Sequence, residues 1–259
     1  MTKPEIVFLM YHELELPGRK LVQSDPGYTR YVLSESAFGR QLEWLKQNNW
    51  LGLCVSDALN FPSRPSVAIT FDDGCETDLL AAAPILKKNG FQATFYITTG
   101  FLGRTGYLSR AQLKELSDAG FEIGCHSRSH AYLTDLSPLD MANEVELPKA
   151  EIEQVIGKRV EHFSCPGGRY DERVARAARN SGYLTVTTSR FSANSSSTDK
   201  FNLGRVTILR TTSTADFERI CRGQGLWLAN AADRVRNGAR NLLGNSLYDQ
   251  LRGKLLRSG

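Results

Sequence analysis

Histidine is scarce in this sequence, with four among 259 residues, so a reaction that needs imidazole has few places to find it. Cysteine is equally sparse. The five cysteines (Cys54, Cys75, Cys125, Cys165, Cys221) are odd in number, widely spaced and never arranged as Cys-x-x-Cys. That pattern argues against a disulfide framework and for free thiols in a reducing compartment. No apolar run approaches the ~20 residues that span a bilayer. Before Tyr11 there are only six apolar or near-apolar residues and no small-residue cleavage site, so no signal peptide is expected and the cytoplasm is the expected address. No repeat of fixed period exists, which speaks against a solenoid. A net charge of +4 is too mild to indicate nucleic acid. The remaining composition, 41% hydrophobic and 23% charged, is that of an ordinary globular protein with room for one large α/β domain or two small ones.

Against this background two segments stand out. In Val67-Ala68-Ile69-Thr70-Phe71-Asp72-Asp73-Gly74 an apolar stretch runs into two adjacent carboxylates and a glycine. It reads as a buried strand with both aspartates at its C-terminal tip, the edge on which α/β folds build their sites. Neighbours on an extended chain point to opposite sides, so Asp72 and Asp73 are expected to do different jobs, one holding a metal and one handling protons. Asp-Asp-Gly also suits a plain turn. The second segment, Gly124-Cys125-His126-Ser127-Arg128-Ser129-His130, follows another short apolar stretch. On a helical turn His126 and His130 would share a face and bind one ion together, although a lone His-x-x-x-His is more often a pair of surface residues. Two imidazoles and a carboxylate make a common open metal site. Cys75 and Cys125 adjoin the two segments, which raises thiolate ligation as a lesser option.

Thr70-Phe71-Asp72-Asp73-Gly74 and His126-Ser127-x-x-His130, in this order and about fifty residues apart, resemble the first two motifs of the polysaccharide deacetylases, carbohydrate esterase family 4. The resemblance runs from about Ile6 to Arg210. It implies a distorted (β/α) barrel with about seven strands and a metal site at the C-terminal strand edge. It also implies Asp72 as catalytic base and Asp73, His126 and His130 as ligands of one divalent ion, for which zinc is the first expectation. The late histidine that usually acts as general acid is missing, since none follows His162. Some relatives place a Tyr-His pair on the first strand instead, which assigns His12 as general acid and Tyr11 beside it as a substrate contact. Around Phe163-Ser164-Cys165-Pro166-Gly167-Gly168-Arg169 the family's third motif is altered. Ser164 takes the place of the arginine that orients the catalytic aspartate, and Gly167 takes that of a tyrosine. Arg169 or Arg205 could compensate, Arg205 is also expected near substrate, and the Gly167 N–H could face the oxyanion.

The implied activity is removal of an N-acetyl group from an amino sugar in a glycan or lipid-linked saccharide. Deformylation, O-acetyl ester cleavage and an inactive glycan-binding module are the alternatives. Elsewhere, helices are expected over 34–48, 78–89, 108–119, 137–155 and 173–180, and strands over 6–12, 93–97 and 183–188. A long loop is expected over 13–33, in which Tyr28 and Tyr31 could stack on a sugar, and a polar loop near the rim over 194–198. Residues 1–210 are expected to form the barrel and 211–259 a basic helical extension. In 233–259, Leu242, Leu243, Leu247, Leu251 and Leu255 make an apolar stripe beside six basic residues. Such a helix either packs on the barrel or lies on an anionic membrane surface, at the inner face of the membrane.

Overall fold

The structure, a computed structural model, describes residues 5–226. The stripe over 233–259, and the membrane contact expected of it, lie outside the described residues. Among the described residues no helix is long and apolar enough to cross a membrane.

In chain order the strands are β1 (Glu5–Tyr11), β2 (Leu14–Glu15), β3 (Leu33–Ser34), β4 (Leu51–Leu53), β5 (Ser66–Phe71), β6 (Thr94–Ile97), β7 (Glu122–Cys125), β8 (His162–Ser164), β9 (Thr185–Thr187), β10 (Asn194–Ser195) and β11 (Val206–Thr207). Strands β1, β5, β6, β7, β8 and β9 are neighbours in that order, each pair parallel. Strand β4 lies along the first half of β5 and β6 along its end. The segment 203–207 joins the two edges: Leu203 bridges to Thr187 on β9, and Val206 and Thr207 pair with Leu9 and Met10 on β1. The sheet is thereby drawn round into the expected distorted barrel. The polar loop expected at the rim is elsewhere. Asn194 and Ser195 pair with Ile6 and Glu5, at the opposite end of β1 from the site.

The helices are α1 (Pro26–Thr29), α2 (Glu35–Gln47), α3 (Val55–Ala58), α4 (Ala83–Asn89), α5 (Arg110–Asp118), α6 (Pro138–Ile156), α7 (Glu172–Asn180) and α8 (Thr214–Cys221). Their starts follow capping chemistry: Ser34, Ser109, Ser137, Asp171 and Ser213 each accept a backbone N–H of the first turn. Ser109 and Gln112 complete a capping box, and α4 stops at Gly90 in the left-handed region. The helix expected from Asp78 begins instead with a π-helical turn over Asp78–Ala82, next to Pro84, which has no N–H to return to Leu80. Helix α8, beyond the expected boundary at 210, sends Phe217 into the main core, edge-on to Trp44 at 5.9 Å.

The period of two along each strand sorts the side chains. Val7, Leu9 and Tyr11 of β1, with Val67, Ile69 and Phe71 of β5, belong to the large core between sheet and helices. Ile6, Phe8, Ala68 and Tyr96 form a separate, smaller cluster with Val55 and Ala58 of α3, inside the barrel. Gly124 faces this interior, where a Cβ would run into the ring of Tyr96. The same inward parity selects His12, Asp72, His126, Ser164 and Arg205 further along the strands.

Below them the interior is polar as well. Glu122 accepts hydrogen bonds from Thr94 Oγ1 and from the N–H groups of Val55 (3.0 Å) and Ser56 (3.2 Å). His162 Nε2 lies 3.3 Å from the Glu122 carboxylate and 2.8 Å from Ser56 Oγ, and its Nδ1 lies 2.8 Å from Thr185 Oγ1. Burial works against ionisation of Glu122, but His162, Ser56 and Thr94 outweigh it and pull its pKa down to about 2. A carboxylate depressed on folding contributes stability that is present above its unfolded pKa and lost as pH falls toward the folded one. Glu122→Gln should therefore cost about 3 kcal/mol at neutral pH. The gap from wild type, read by urea denaturation across pH, should close between about pH 4.5 and pH 2.

Candidate metal and catalytic site

Asp72 and Asp73 follow the last residue of β5, His126 follows β7, and His12 follows β1, so all four stand on the C-terminal edge of the sheet. Asp73 does not point away from Asp72 as an extended chain would require. Its φ of +82° turns the backbone, and both carboxylates approach His126, whose Nε2 lies 3.7 Å from Asp72 Oδ2 and 3.6 Å from Asp73 Oδ1. His126 and His130 do not share a helical turn either. They sit on a loop in which Ser127 (φ +67°) and His130 (φ +64°) are both left-handed, and that fold-back brings His130 Nε2 to 3.4 Å from Asp73 Oδ1. The loop is pinned on every side. Ser127 Oγ accepts the His130 N–H (3.0 Å), Glu144 of α6 accepts those of Arg128 (3.1 Å) and Ser129 (2.8 Å), and Gly100 donates to the Arg128 carbonyl (2.7 Å).

One ligand atom from each of Asp73, His126 and His130 lies within 4.8 Å of the others. Asp73 Oδ1, which faces both imidazoles, is buried without a hydrogen-bond partner among the described residues. His126 Nδ1 stands 2.9 Å from the Ser164 carbonyl oxygen, which can only accept, so the proton is on Nδ1 and the Nε2 lone pair is free for a ligand role. Burial pushes the His126 pKa down to about 4, with the two aspartates pulling the other way, which keeps the ring neutral as a ligand must be. Ligands about 2.0–2.1 Å from a tetrahedral ion stand roughly 3.3 Å apart, close to the separations here. The residues present thus fit a divalent ion, and zinc suits their N and O donors. No thiol joins the group: all five cysteines are free and buried, and Cys125 points into the outer core, where burial raises its thiol to about 12.

Asp72 is held differently. Arg205, with no exposed surface, donates from Nη1 to Oδ1 and from Nη2 to Oδ2, both at 2.7 Å. It also donates to Ser164 Oγ (2.7 Å), Thr70 Oγ1 (3.2 Å) and the Thr188 carbonyl (3.2 Å), and its guanidinium lies 5.3 Å from the centre of the Tyr96 ring. Burial would raise the Asp72 pKa, but Arg205 and then His126 hold it well below the usual carboxylate range. Of the two arginines that could orient Asp72, Arg205 does so. Arg169 lies over the Tyr132 ring at 4.5 Å. The expectation that Arg205 contacts substrate is corrected, because its donors are spent inside the barrel. The same applies to Tyr11. Its outward parity buries it between Phe38 and Phe71, and its hydroxyl donates to Gln41.

His12 is half-buried. Burial lowers its pKa, and Asp73 and Asp72 oppose that shift. Its Nδ1 has no hydrogen-bond partner among the described residues, and the ring of Tyr31 packs on it at 5.0 Å. Gly167, in the turn after β8, has φ +59°, and a Cβ there would stand 2.7 Å from the Tyr132 ring, so the position takes glycine. Sequence reading missed the role of Glu13, which is buried and accepts from Val22 N–H (3.1 Å) and Tyr28 OH (3.0 Å). The alternation of β1 was the available signal, since it turns residue 13 away from the barrel interior.

This geometry can be set beside known proteins. The chain is 30% identical over 210 residues to YxkH of Bacillus subtilis (strain 168), named for the polysaccharide deacetylases, covering 79% of this chain and 71% of that one. The chain belongs to the polysaccharide deacetylase family. The family's profile matches residues 60–186, which carry Asp72, Asp73, His126 and His130. A poly-β-1,6-N-acetyl-D-glucosamine N-deacetylase of Staphylococcus aureus (strain MRSA252) is 35% identical over 133 residues, and the match spans 46% of each chain, so less than half of that relative. In fold, the chain is similar to the Streptococcus pyogenes deacetylase PplD (TM-score 0.75, 24% identity, 85% of this chain and 99% of that one). It is also similar to IcaB from Ammonifex degensii (TM-score 0.69, 23% identity, 85% and 96%).

Because Arg205 and Asp72 compensate each other in a buried setting, removing one strands the other. Arg205→Met should destabilise the deacetylase-family barrel by about 3–5 kcal/mol in urea denaturation. Adding Asp72→Asn to it should restore much of that loss. A double variant no better than Arg205→Met would show that the two charges do not depend on each other.

Proposed function

We propose that this chain is a metal-dependent hydrolase that removes the N-acetyl group from an amino sugar within a glycan or lipid-linked saccharide. The observation that carries the reading is the cluster of Asp73, His126 and His130 beside Asp72, a carboxylate held ionised by a buried arginine. Asp73, His126 and His130 would hold a divalent ion, whose chemistry there would be Lewis-acid polarisation of an amide carbonyl and a lowered pKa of water. Asp72 takes the proton of the attacking water as the new C–O bond forms. Its two hydrogen bonds with the Arg205 guanidinium favour the charged form at neutral pH and fix its direction. His12 gives a proton to the leaving nitrogen as the C–N bond breaks, releasing acetate and a free amine. The Gly167 N–H is the proposed donor to the oxyanion. The relatives that act on poly-β-1,6-N-acetyl-D-glucosamine support a glycan substrate, and family membership supports deacetylation. An inert binding module would have little use for a buried ionised carboxylate next to an imidazole whose Nε2 lone pair is free to bind an ion.

Elemental analysis should find one divalent ion per chain in wild type and none in Asp73→Ala or His130→Ala. Asp72→Asn should keep the ion while acetate release from N-acetylglucosamine oligomers falls by about 10²-fold or more. Full activity in Asp72→Asn would remove the base assignment, and a wild type that cannot take up metal would remove the hydrolytic reading.

A further inference from the structure

His12 differs from the other histidine at the strand edge in what orients it. A protein carbonyl fixes the ring of His126, whereas His12 Nδ1 finds no hydrogen-bond partner among the described residues. The second imidazole torsion is broad and permissive when nothing bonds the ring, and the tautomer is ordinarily set by the bond that the other nitrogen makes. The aromatic ring that packs on His12 is that of Tyr31, its centre 5.0 Å away and its plane inclined by 33°.

Tyr31 is itself held at the end of a long loop by ties that begin one residue from His12. Glu13, turned outward by the alternation of β1, accepts the N–H of Val22 and the hydroxyl of Tyr28. Tyr31 donates its N–H to the Tyr28 carbonyl (2.9 Å), and Val32, fully buried, donates to that of Thr29 (3.1 Å). From the far side, Arg210 donates its N–H to the Arg30 carbonyl (2.8 Å) and from Nη1 to the Val32 carbonyl (3.3 Å). Arg19 pairs with Glu76, which also accepts from Gln112 Nε2 at 2.7 Å. The loop is therefore a strap whose tethers return an aromatic ring to the strand tip from which it departs.

We propose that Tyr31 is a positioning residue for His12, and that Glu13 anchors the strap that presents it. This rests on the reading of His12 as the proton donor to the leaving amine. In that role the ring plane must be set before substrate arrives, because a misplaced donor loses rate without losing binding. Tyr31 does this by packing; the reaction uses no proton of its hydroxyl.

The test compares Tyr31→Ala, Tyr31→Phe and His12→Ala on two substrates. An N-acetylglucosamine oligomer has a leaving amine that needs a proton, whereas 4-nitrophenyl acetate has a leaving group that departs as an anion. Tyr31→Ala should lower kcat on the oligomer by about tenfold or more with KM little changed, whereas Tyr31→Phe should stay within about twofold of wild type. Aryl acetate hydrolysis and metal content should be unchanged in both. A Tyr31→Ala loss confined to KM would make Tyr31 a sugar contact and overturn the proposal. Equal losses on the two substrates would also overturn it. Should His12→Ala lack the leaving-group difference, the donor assignment itself fails and takes this proposal with it. If only His12→Ala shows the difference, the donor stands and the positioning role of Tyr31 is lost.

Discussion

A charged pair sealed inside the barrel, Arg205 with Asp72, is the constraint around which the site is arranged. Two ions removed from water carry a desolvation penalty of several kcal/mol each, which their attraction offsets only if the remaining donors and acceptors are met. Here they are met. The guanidinium has five N–H donors and makes five contacts, two to Asp72 and one each to Ser164, Thr70 and Thr188. The pair is thus poorly explained as a device for stability and well explained as a way to keep one carboxylate ionised and aimed in a place where it would otherwise bind a proton. Ser164 completes the arrangement: its hydroxyl meets Arg205 while its carbonyl fixes the tautomer of His126. One residue thereby links the orientation of the proposed base to that of a proposed metal ligand.

The strand parity that builds this interior was largely legible in the sequence. The apolar alternation of 67–71 and the two motifs after it located the carboxylates and histidines at one edge. What the pattern did not carry was the backbone's departure from regularity at that edge. An extended backbone would place Asp72 and Asp73 on opposite sides, but the strand ends at Phe71 and that rule ends with it. A left-handed Asp73 cancels it. The helical turn expected for His126 and His130 failed for the same reason. A left-handed φ is uncommon for any residue but glycine, and serine is not among the types that favour it, so residue type alone would not suggest the fold-back.

Arg205 was one of two open choices, and the deciding information is long-range. In Gly204-Arg205-Val206-Thr207-Ile208 the apolar residues alternate outward, which leaves Arg205 inward. Yet only the pairing of Val206 with Leu9 of β1 brings that inward side under Asp72. The side chain that aims Asp72 in this way comes from a segment 41 residues beyond Ser164, across the closure of the barrel. Tyr11 shows the converse error. Proximity in sequence to His12 suggested a shared task, but a period of two gives adjacent strand residues different solvents: His12 faces the site and Tyr11 the aromatic core.

Three left-handed non-glycine residues, Asp73, Ser127 and His130, converge on a single cluster, whereas the other two among the described residues, Asn49 and Phe61, lie in connections remote from it. Each such residue costs on the order of 1 kcal/mol or more, and it persists only where its surroundings over-determine it. The surroundings here are backbone bonds from the 98–100 turn, the Glu144 carboxylate of α6 and the Ser127 hydroxyl, all directed at the loop and none at the ligand atoms. The strain is therefore carried by the scaffold, while Asp73 Oδ1 and the histidine Nε2 atoms are left facing one another. The ties thus hold the loop from outside the cluster and leave its facing donor atoms in place, the arrangement that a metal-binding role would need.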